Sequence, residues 1–154
     1  VNTEANLLML AYLKNKFSKN FSHVLDLFGG KGNLSNELNY SKRTVVDLYP
    51  NEQLGPEFKS INLFDSSALH SYLLDKPVDT ELLIVDPPRS GFKDLELWVE
   101  ALNPQYLLYI SCHPATMIRD LLNITNKYKI SNTVLVDLFP STYHFEGLVL
   151  LEKK

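Results

Sequence analysis

The chain of 154 residues holds a single cysteine, Cys112. One thiol forms no internal disulfide, which fits a reducing compartment and makes the cytoplasm the expected location. It also excludes a zinc site built from several cysteines, and no metal ligand set is expected. No apolar run approaches the ~18 residues that a bilayer span requires. The opening "VNTEANLLMLAYLKNKF" is interrupted by charge, unlike a secretory signal. Repeats, low-complexity tracts and linkers are missing as well. Positive charge is scarce: 15 Lys and Arg stand against 18 Asp and Glu, for a net charge of -3. A nucleic-acid binder usually shows a basic excess, so such a role needs a local patch or another domain. The chain begins with Val1 rather than Met, which suggests a piece of a longer protein.

What is present reads as one folded domain over residues 1–154, with 45% hydrophobic residues. Thr3 is a candidate cap for a helix with apolar positions at Leu7, Leu10, Ala11, Leu13 and Phe17. Short apolar runs then alternate with helical patterns. "HVLDLF" (His23 to Phe28), "RTVVDL" (Arg43 to Leu48), "KSINLF" (Lys59 to Phe64), "ELLIVDPP" (Glu81 to Pro88) and "QYLLYIS" (Gln105 to Ser111) read as strands. A short helix is expected through Leu34 and Leu38. Another carries Leu69, Tyr72 and Leu73, and a third carries Leu95, Trp98, Val99 and Leu102 at helical spacing. A fourth is striped by Met117, Ile118, Leu121 and Leu122. "NTVLVDLF" and "EGLVLLEKK" close the chain as an antiparallel pair. The alternation predicts an α/β fold with right-handed crossovers and a mainly parallel sheet buried on both faces.

In such sheets ligands bind beyond the carboxyl ends of the strands. The residues there are Asp26 with Gly29, Asp47, Asp65, Asp86 and Cys112, and they are expected to converge on one rim. "DLFGGKGN" (Asp26 to Asn33) is a glycine-rich strand-to-helix turn. Gly29, Gly30 and Gly32 allow positive φ and close approach to a ligand, and the helix start behind them favours an anion. Asp47 ends the second strand where a ribose-binding acid is expected. The turn lacks G-x-x-x-x-G-K-[ST], which argues against a nucleoside triphosphate. Asp65 has two readings: an acceptor for an adenine amine, or a cap for the helix that follows.

"DPPRSG" (Asp86 to Gly91) leaves the fourth strand through two prolines that stiffen the loop. Asp86 has no packing reason to be there, although a surface turn uses similar residues. Cys112 has a bland reading as a small core residue. Against it, Cys112 lies past a strand end, and Pro114 suits the first turn of the next helix. A helix start stabilises a thiolate, which is one way to activate a nucleophile. His144 and Glu146 lie two apart between two strands, a spacing that aims both at one side. A solvated hairpin tip is the plainer reading.

Four stretches occur in order: "VLDLFGGKGN", "LLIVDPPRSG", "YISCHPATMIRDL" and "DLFPSTYHFEGLVLL". Together they resemble the catalytic domain of the S-adenosylmethionine-dependent RNA 5-methyluridine methyltransferases. The resemblance covers nearly the whole chain, and the last three motifs are specific. It implies a Rossmann-like class I methyltransferase fold. The sheet is then seven-stranded and mostly parallel, with an antiparallel C-terminal strand and helices on both faces. It implies S-adenosyl-L-methionine as cofactor, held by Asp26, Phe28, Gly29, Gly30, Gly32, Asn33, Asp47, Asp65 and Asp86, with Asn2 or Asn6 contributing from "VNTEAN". The substrate would be a uridine in transfer or ribosomal RNA, flipped from its stack. Cys112 would add to uracil C6, C5 would take the methyl group, and Glu146 would remove the C5 proton. Asp86 would bind the uracil edge. Pro87, Arg89, His113 and His144 would contact the substrate or orient the groups that do.

Three departures stand out. Gly29 replaces the family's usual cysteine, a change expected to be neutral. His113 replaces the asparagine usual after the nucleophile. About a dozen residues follow Asp47 before the third strand, broken by Pro50, Gly55 and Pro56, so the helix usual there is expected to be lost. The family's RNA-binding domains are also absent, in keeping with the acidic composition. Two further readings stay open: a degenerate cofactor-binding module serving as an interaction subunit, and an enzyme acting on another nucleobase. DNA cytosine enzymes also use a cysteine, but Cys112 and Glu146 are not arranged as theirs are.

Overall fold

The computed structural model describes residues 3–137 and 145–154. Its centre is a seven-stranded sheet in the order β3-β2-β1-β4-β5-β7-β6. The strands are β1 (Asn20–Leu27), β2 (Asn39–Asp47), β3 (Phe58–Ser60), β4 (Leu82–Val85), β5 (Tyr106–Ser111), β6 (Tyr128–Val136) and β7 (Glu146–Lys153). Only β7 runs against its neighbours, pairing antiparallel with both β5 and β6. The chain moves outward from β1 to β3, then returns to β4 on the other side of β1. That reversal opens a crevice at the strands' carboxyl ends.

Both faces of the sheet are covered, which is why the central strands are apolar throughout. On one face lie α2 (Ala68–Leu74), α3 (Leu95–Leu102) and α4 (Pro114–Leu122). Tyr72, Trp98, Val99 and Leu121 pack there on Leu25, Leu27, Val85 and Leu107. On the other lies α1 (Thr3–Lys16), whose Met9 and Leu13 join Phe17, Leu34 and Leu38 over Val24, Ile84, Leu108 and Ile110. Strand residues thus alternate between faces with a period of two. Of the expected apolar positions Leu13 and Phe17 are buried and Leu10 packs at the edge of the core, whereas Leu7, 60% exposed, and Ala11 face outward and Met9 takes the inward place.

Several elements differ from expectation. The helix expected through Leu34 and Leu38 is a single 3-10 turn, Ser35–Glu37. Only residues 28–38 separate β1 from β2, and the glycine turn takes the first of them, too few for a helix and two loops. The connection from β2 to β3 likewise holds only 3-10 turns, Glu52–Glu57, kinked at Gly55 with φ 52°. β3 stops at Ser60 because Asn62 folds the chain back, its Oδ1 accepting from Phe64 N at 3.1 Å. β6 starts at Tyr128, ahead of the expected Asn132, and carries a register shift between Ile130 and Asn132.

Candidate active site

The glycine turn is built around a buried carboxylate. Asp26 is 0% exposed beneath Gly29, and a Cβ placed on Gly29 would lie 2.7 Å from Asp26 Cγ and 2.7 Å from Val45 Cγ1. A cysteine at this position, as the resemblance leads one to expect, therefore has no room without movement of its neighbours. Asp26 itself is buried beneath the turn rather than exposed on the rim. Its Oδ2 accepts from Ser35 Oγ at 2.6 Å, while Oδ1 is buried without a partner. Burial pushes its carboxyl up to about 6, against the opposing pull of Ser35 and Arg43. Phe28, not Gly29, takes positive φ (60°), as do Gly30 and Gly32. The Phe28 ring is fixed by Phe92 at 5.1 Å and Phe64 at 5.4 Å between centroids. Those contacts hold a conformation that a phenylalanine otherwise avoids. No α-helix starts behind the turn, so the expected anion-binding helix terminus is missing.

Asp47 closes β2 with its carboxylate turned to the turn. Oδ2 accepts from Gly30 N at 2.9 Å, and Oδ1 from Leu48 N at 2.6 Å. Beside it lies a cleft of about 310 Å³ lined by Phe28, Asp47, Leu48, Tyr49, Asn62, Leu63, Phe64, Asp86 and Pro88. One cavity therefore joins the end of β2 to the end of β4. Gly30 borders an adjoining hollow with Asp47 and Tyr49. Gly32 is buried against Arg43 and Ser35, and Asn33 is exposed; neither lines the cleft. Asp65 also lies outside it. Its Oδ1 accepts from Ser67 N and Oγ, both at 2.9 Å, in a turn that leads into α2, but the residue at the N-cap is Ser67 rather than Asp65. Asn62 lines the cleft where Asp65 was expected.

The candidate reacting groups lie where β4 and β5 end and β7 begins. Ser111 of β5 pairs with Gly147 of β7. Cys112 follows Ser111 and Glu146 precedes Gly147, so both lie at the end of this antiparallel pair. Cys112 is partly exposed, just before His113 and the proline that opens α4. Asp86 follows β4 and feels the charges of Glu146 and Asp26. Burial first, then those charges, raises its carboxyl to about 7. Burial also raises Glu146. Burial is thus the first cause that raises the Asp26, Asp86 and Glu146 carboxyls alike.

His113 is held rather than free. Its N–H donates to Ser111 Oγ at 2.9 Å, and its Nδ1 lies 3.3 Å from Thr116 Oγ1. Thr116 Oγ1 also donates to Arg89 O at 3.1 Å, and Arg119 Nη2 to Ser90 O at 3.0 Å. Asp120, buried, accepts from Phe92 N and Tyr109 OH, both at 2.6 Å. Gly91 fits between them with φ 75°, a Cβ there falling 2.5 Å from Asp120 Oδ2. The "DPPRSGF" loop is therefore strapped onto α4, with Pro87 buried and the Arg89 side chain exposed. Reading the sequence missed Thr116, Arg119 and Asp120. Their spacing in "TMIRD" marks one helix face, but nothing in the sequence says which loop that face meets. His144 and Asn2, and the side chain of Asn6, lie outside the described residues. Among the described residues no cluster of His, Cys, Asp or Glu suits a metal ion.

The sheet order and the glycine turn define a Rossmann-like α/β fold. A crystal structure of Pyrococcus abyssi tRNA (uracil-54, C5)-methyltransferase in complex with S-adenosyl-L-homocysteine shares this fold. Its TM-score is 0.69 at 22% identity, over 95% of this chain and 38% of that one. Thermus thermophilus TrmN aligns with a TM-score of 0.63 at 16% identity, over 95% of this chain and 48% of that one. The chain belongs to the tRNA (uracil-5-)-methyltransferase family, whose model matches residues 60–154. It is 36% identical to a 23S rRNA (uracil(747)-C(5))-methyltransferase of Pyrococcus abyssi, over 86% of this chain and 34% of that protein. It is 33% identical to a 23S rRNA (uracil(1939)-C(5))-methyltransferase of Aliivibrio salmonicida, over 84% of this chain and 32% of that protein. The chain thus spans about a third of the length of these relatives.

Proposed function

We propose that this chain is the catalytic domain of an RNA uracil-C5 methyltransferase that uses S-adenosyl-L-methionine, acting in the cytoplasm on transfer or ribosomal RNA. The observation that carries the reading is the antiparallel register that brings Cys112 and Glu146 to one end of β5 and β7, on the sheet whose cleft is lined by Asp47 and Asp86. RNA-binding surface beyond this domain would come from the rest of a longer protein or from a partner, since the net charge is -3.

The residues of the cleft fit the cofactor. Phe28, Leu63 and Phe64 offer apolar walls to a purine, Asn62 offers an amide to its edge, and Asp47 offers a carboxylate to ribose hydroxyls. Bound there, S-adenosylmethionine would supply an electrophilic methyl group to the activated C5. Cys112 Sγ, as thiolate, adds to C6 of the flipped uracil, and the C5–C6 π electrons move into an enolate that makes C5 nucleophilic. After methylation the Glu146 carboxylate takes the proton on C5. The C5–H electrons re-form the C5–C6 bond as the C6–S bond breaks and the thiolate leaves. Asp86, protonated near neutral pH, can donate a hydrogen bond to the uracil edge. His113, held by Thr116, stands beside the sulfur.

RNA carrying 5-fluorouridine tests this directly, because fluorine at C5 cannot leave as a proton and the adduct persists. With S-adenosylmethionine present, the wild-type chain should form an RNA–protein adduct stable to denaturation, and Cys112→Ala should form none. A wild-type protein that binds no S-adenosylmethionine and traps no RNA would refute the enzyme in favour of a non-catalytic interaction module.

A further inference from the structure

The cofactor side of this sheet lacks the two crossover helices that ordinarily brace such a turn. Residues 28–38 and 48–57 contain only 3-10 turns. Few backbone bonds of its own secure the glycine turn: Gly29 N to Val46 O at 3.3 Å, Gly32 N to Gly29 O at 2.7 Å and Asn36 N to Gly32 O at 2.8 Å. Asn51 Nδ2 reaches across the gap to Gly30 O at 3.3 Å, and Arg43 spans it more fully. Arg43 projects from β2 and is 6% exposed. Its Nε and Nη2 donate to Glu57 Oε2 at 3.0 and 2.5 Å. Its Nη1 donates to Ser35 Oγ at 3.3 Å and to Asn36 Oδ1. The guanidinium lies 5.2 Å from the Tyr40 ring centroid. Ser35 Oγ donates on to Asp26 Oδ2 at 2.6 Å, directly under Gly29.

We propose that Arg43 is a positioning residue for the cofactor-binding turn. Its planar guanidinium ties the Glu57 segment to the Ser35 segment, and through Ser35 sets the carboxylate on which Gly29 rests. The fork shape matters, because a lysine has one ammonium and cannot reach both sides in fixed geometry. The charge matters as well. Arg43 is the cation that offsets the buried Asp26, whose ionised form would otherwise be costly in that position. The inference rests on the cofactor reading, and it assigns Arg43 no contact with cofactor or RNA.

The test uses Arg43→Met, Arg43→Lys and Glu57→Gln in this same chain, with S-adenosylhomocysteine as the calorimetric probe and amide hydrogen exchange as the local readout. Arg43→Met should weaken binding about tenfold or more, with Glu57→Gln intermediate and Arg43→Lys restoring only part of the loss. Amides of residues 29–36 should exchange about tenfold faster in Arg43→Met, while those of β4 and β5 hold their protection. Wild-type affinity and exchange in Arg43→Met would overturn the proposal. Faster exchange spread evenly over all strands would overturn it too, by making Arg43 a general stabiliser. If Arg43→Met fails to fold, Glu57→Gln decides: unchanged binding and unchanged exchange at 29–36 overturn the proposal. A wild-type chain that binds no S-adenosylhomocysteine would sink the cofactor reading alone, and the exchange pattern would still decide what Arg43 does.

Discussion

Ser111 of β5 pairs with Gly147 of β7, so Cys112 leaves β5 at the rim where Glu146 opens β7. The proposed nucleophile and base, 34 positions apart in the chain, are brought to one rim by that antiparallel register. The consequence is a division of labour that single variants can separate.

Glu146→Gln should leave adduct formation intact and block its resolution. With ordinary RNA and S-adenosylmethionine, this variant should accumulate a methylated covalent complex, visible by denaturing electrophoresis and by mass. Fast, normal turnover would refute the base assignment. Burial raises the Glu146 carboxyl, and only its ionised form accepts a proton. Resolution of the wild-type adduct should therefore speed up with pH to beyond the usual carboxylate range.

Asp86 should destabilise the fold at neutral pH. Its carboxyl is raised to about 7 in the folded chain, against about 4 when unfolded. The folded state keeps the proton longer, so its favourable contribution is complete below pH ~4 and is lost as pH rises through ~7. Asp86→Asn should be more stable than wild type at pH 8 by roughly 2 kcal/mol, with the difference shrinking toward pH 4. Equilibrium urea unfolding at both pH values measures this. An Asn variant less stable than wild type at pH 8 would contradict it.

Gly29 should tolerate no side chain. The 2.7 Å approaches to Asp26 Cγ and Val45 Cγ1 involve packed groups rather than flexible ends. Gly29→Cys should cost about 1–3 kcal/mol, read as a lower unfolding midpoint, and should weaken S-adenosylhomocysteine binding. A variant of wild-type stability would show that β2 yields more easily than its packing implies.

Asp120 should matter out of proportion to its distance from the reacting atoms. Removing its carboxylate strands the Phe92 N–H, the Tyr109 hydroxyl and the Arg119 guanidinium. Asp120→Ala should cost about 3–5 kcal/mol. At temperatures where it stays folded, the "DPPRSGF" loop should lose amide protection before β4 does.

Much of this was legible in the sequence. The seven strands follow from apolar runs and turn signals, and the parallel run of β3, β4 and β5 follows from the helical patterns of α2 and α3 between them. The loss of a helix after β2 was readable from Pro50, Gly55 and Pro56 in a short connection. The loss after β1 was less so, because Leu34 and Leu38 keep a helical spacing while the 3-10 turn of Ser35–Glu37 uses them equally well. Asp26 was misplaced for a similar reason: a strand-end acid looks the same whether it faces the rim or lies under a glycine. Asp65 and Asn62 are only three apart, and it was the bend made by Asn62 that decided which of them lines the cleft.

The sequence by itself determined the residue types available to the chemistry, one thiol and several strand-end acids, and the alternation that lays them along a common edge. Periodicity and punctuation are local properties, and local properties survive in a linear text. The tertiary structure alone decided that β7 lies between β5 and β6, that Arg43 reaches Ser35 and Glu57 at once, and that α4 holds the "DPPRSGF" loop. Each of those depends on which surfaces bury one another across long stretches of chain. That choice is made by the free energy of the whole packed domain and is written in no single segment.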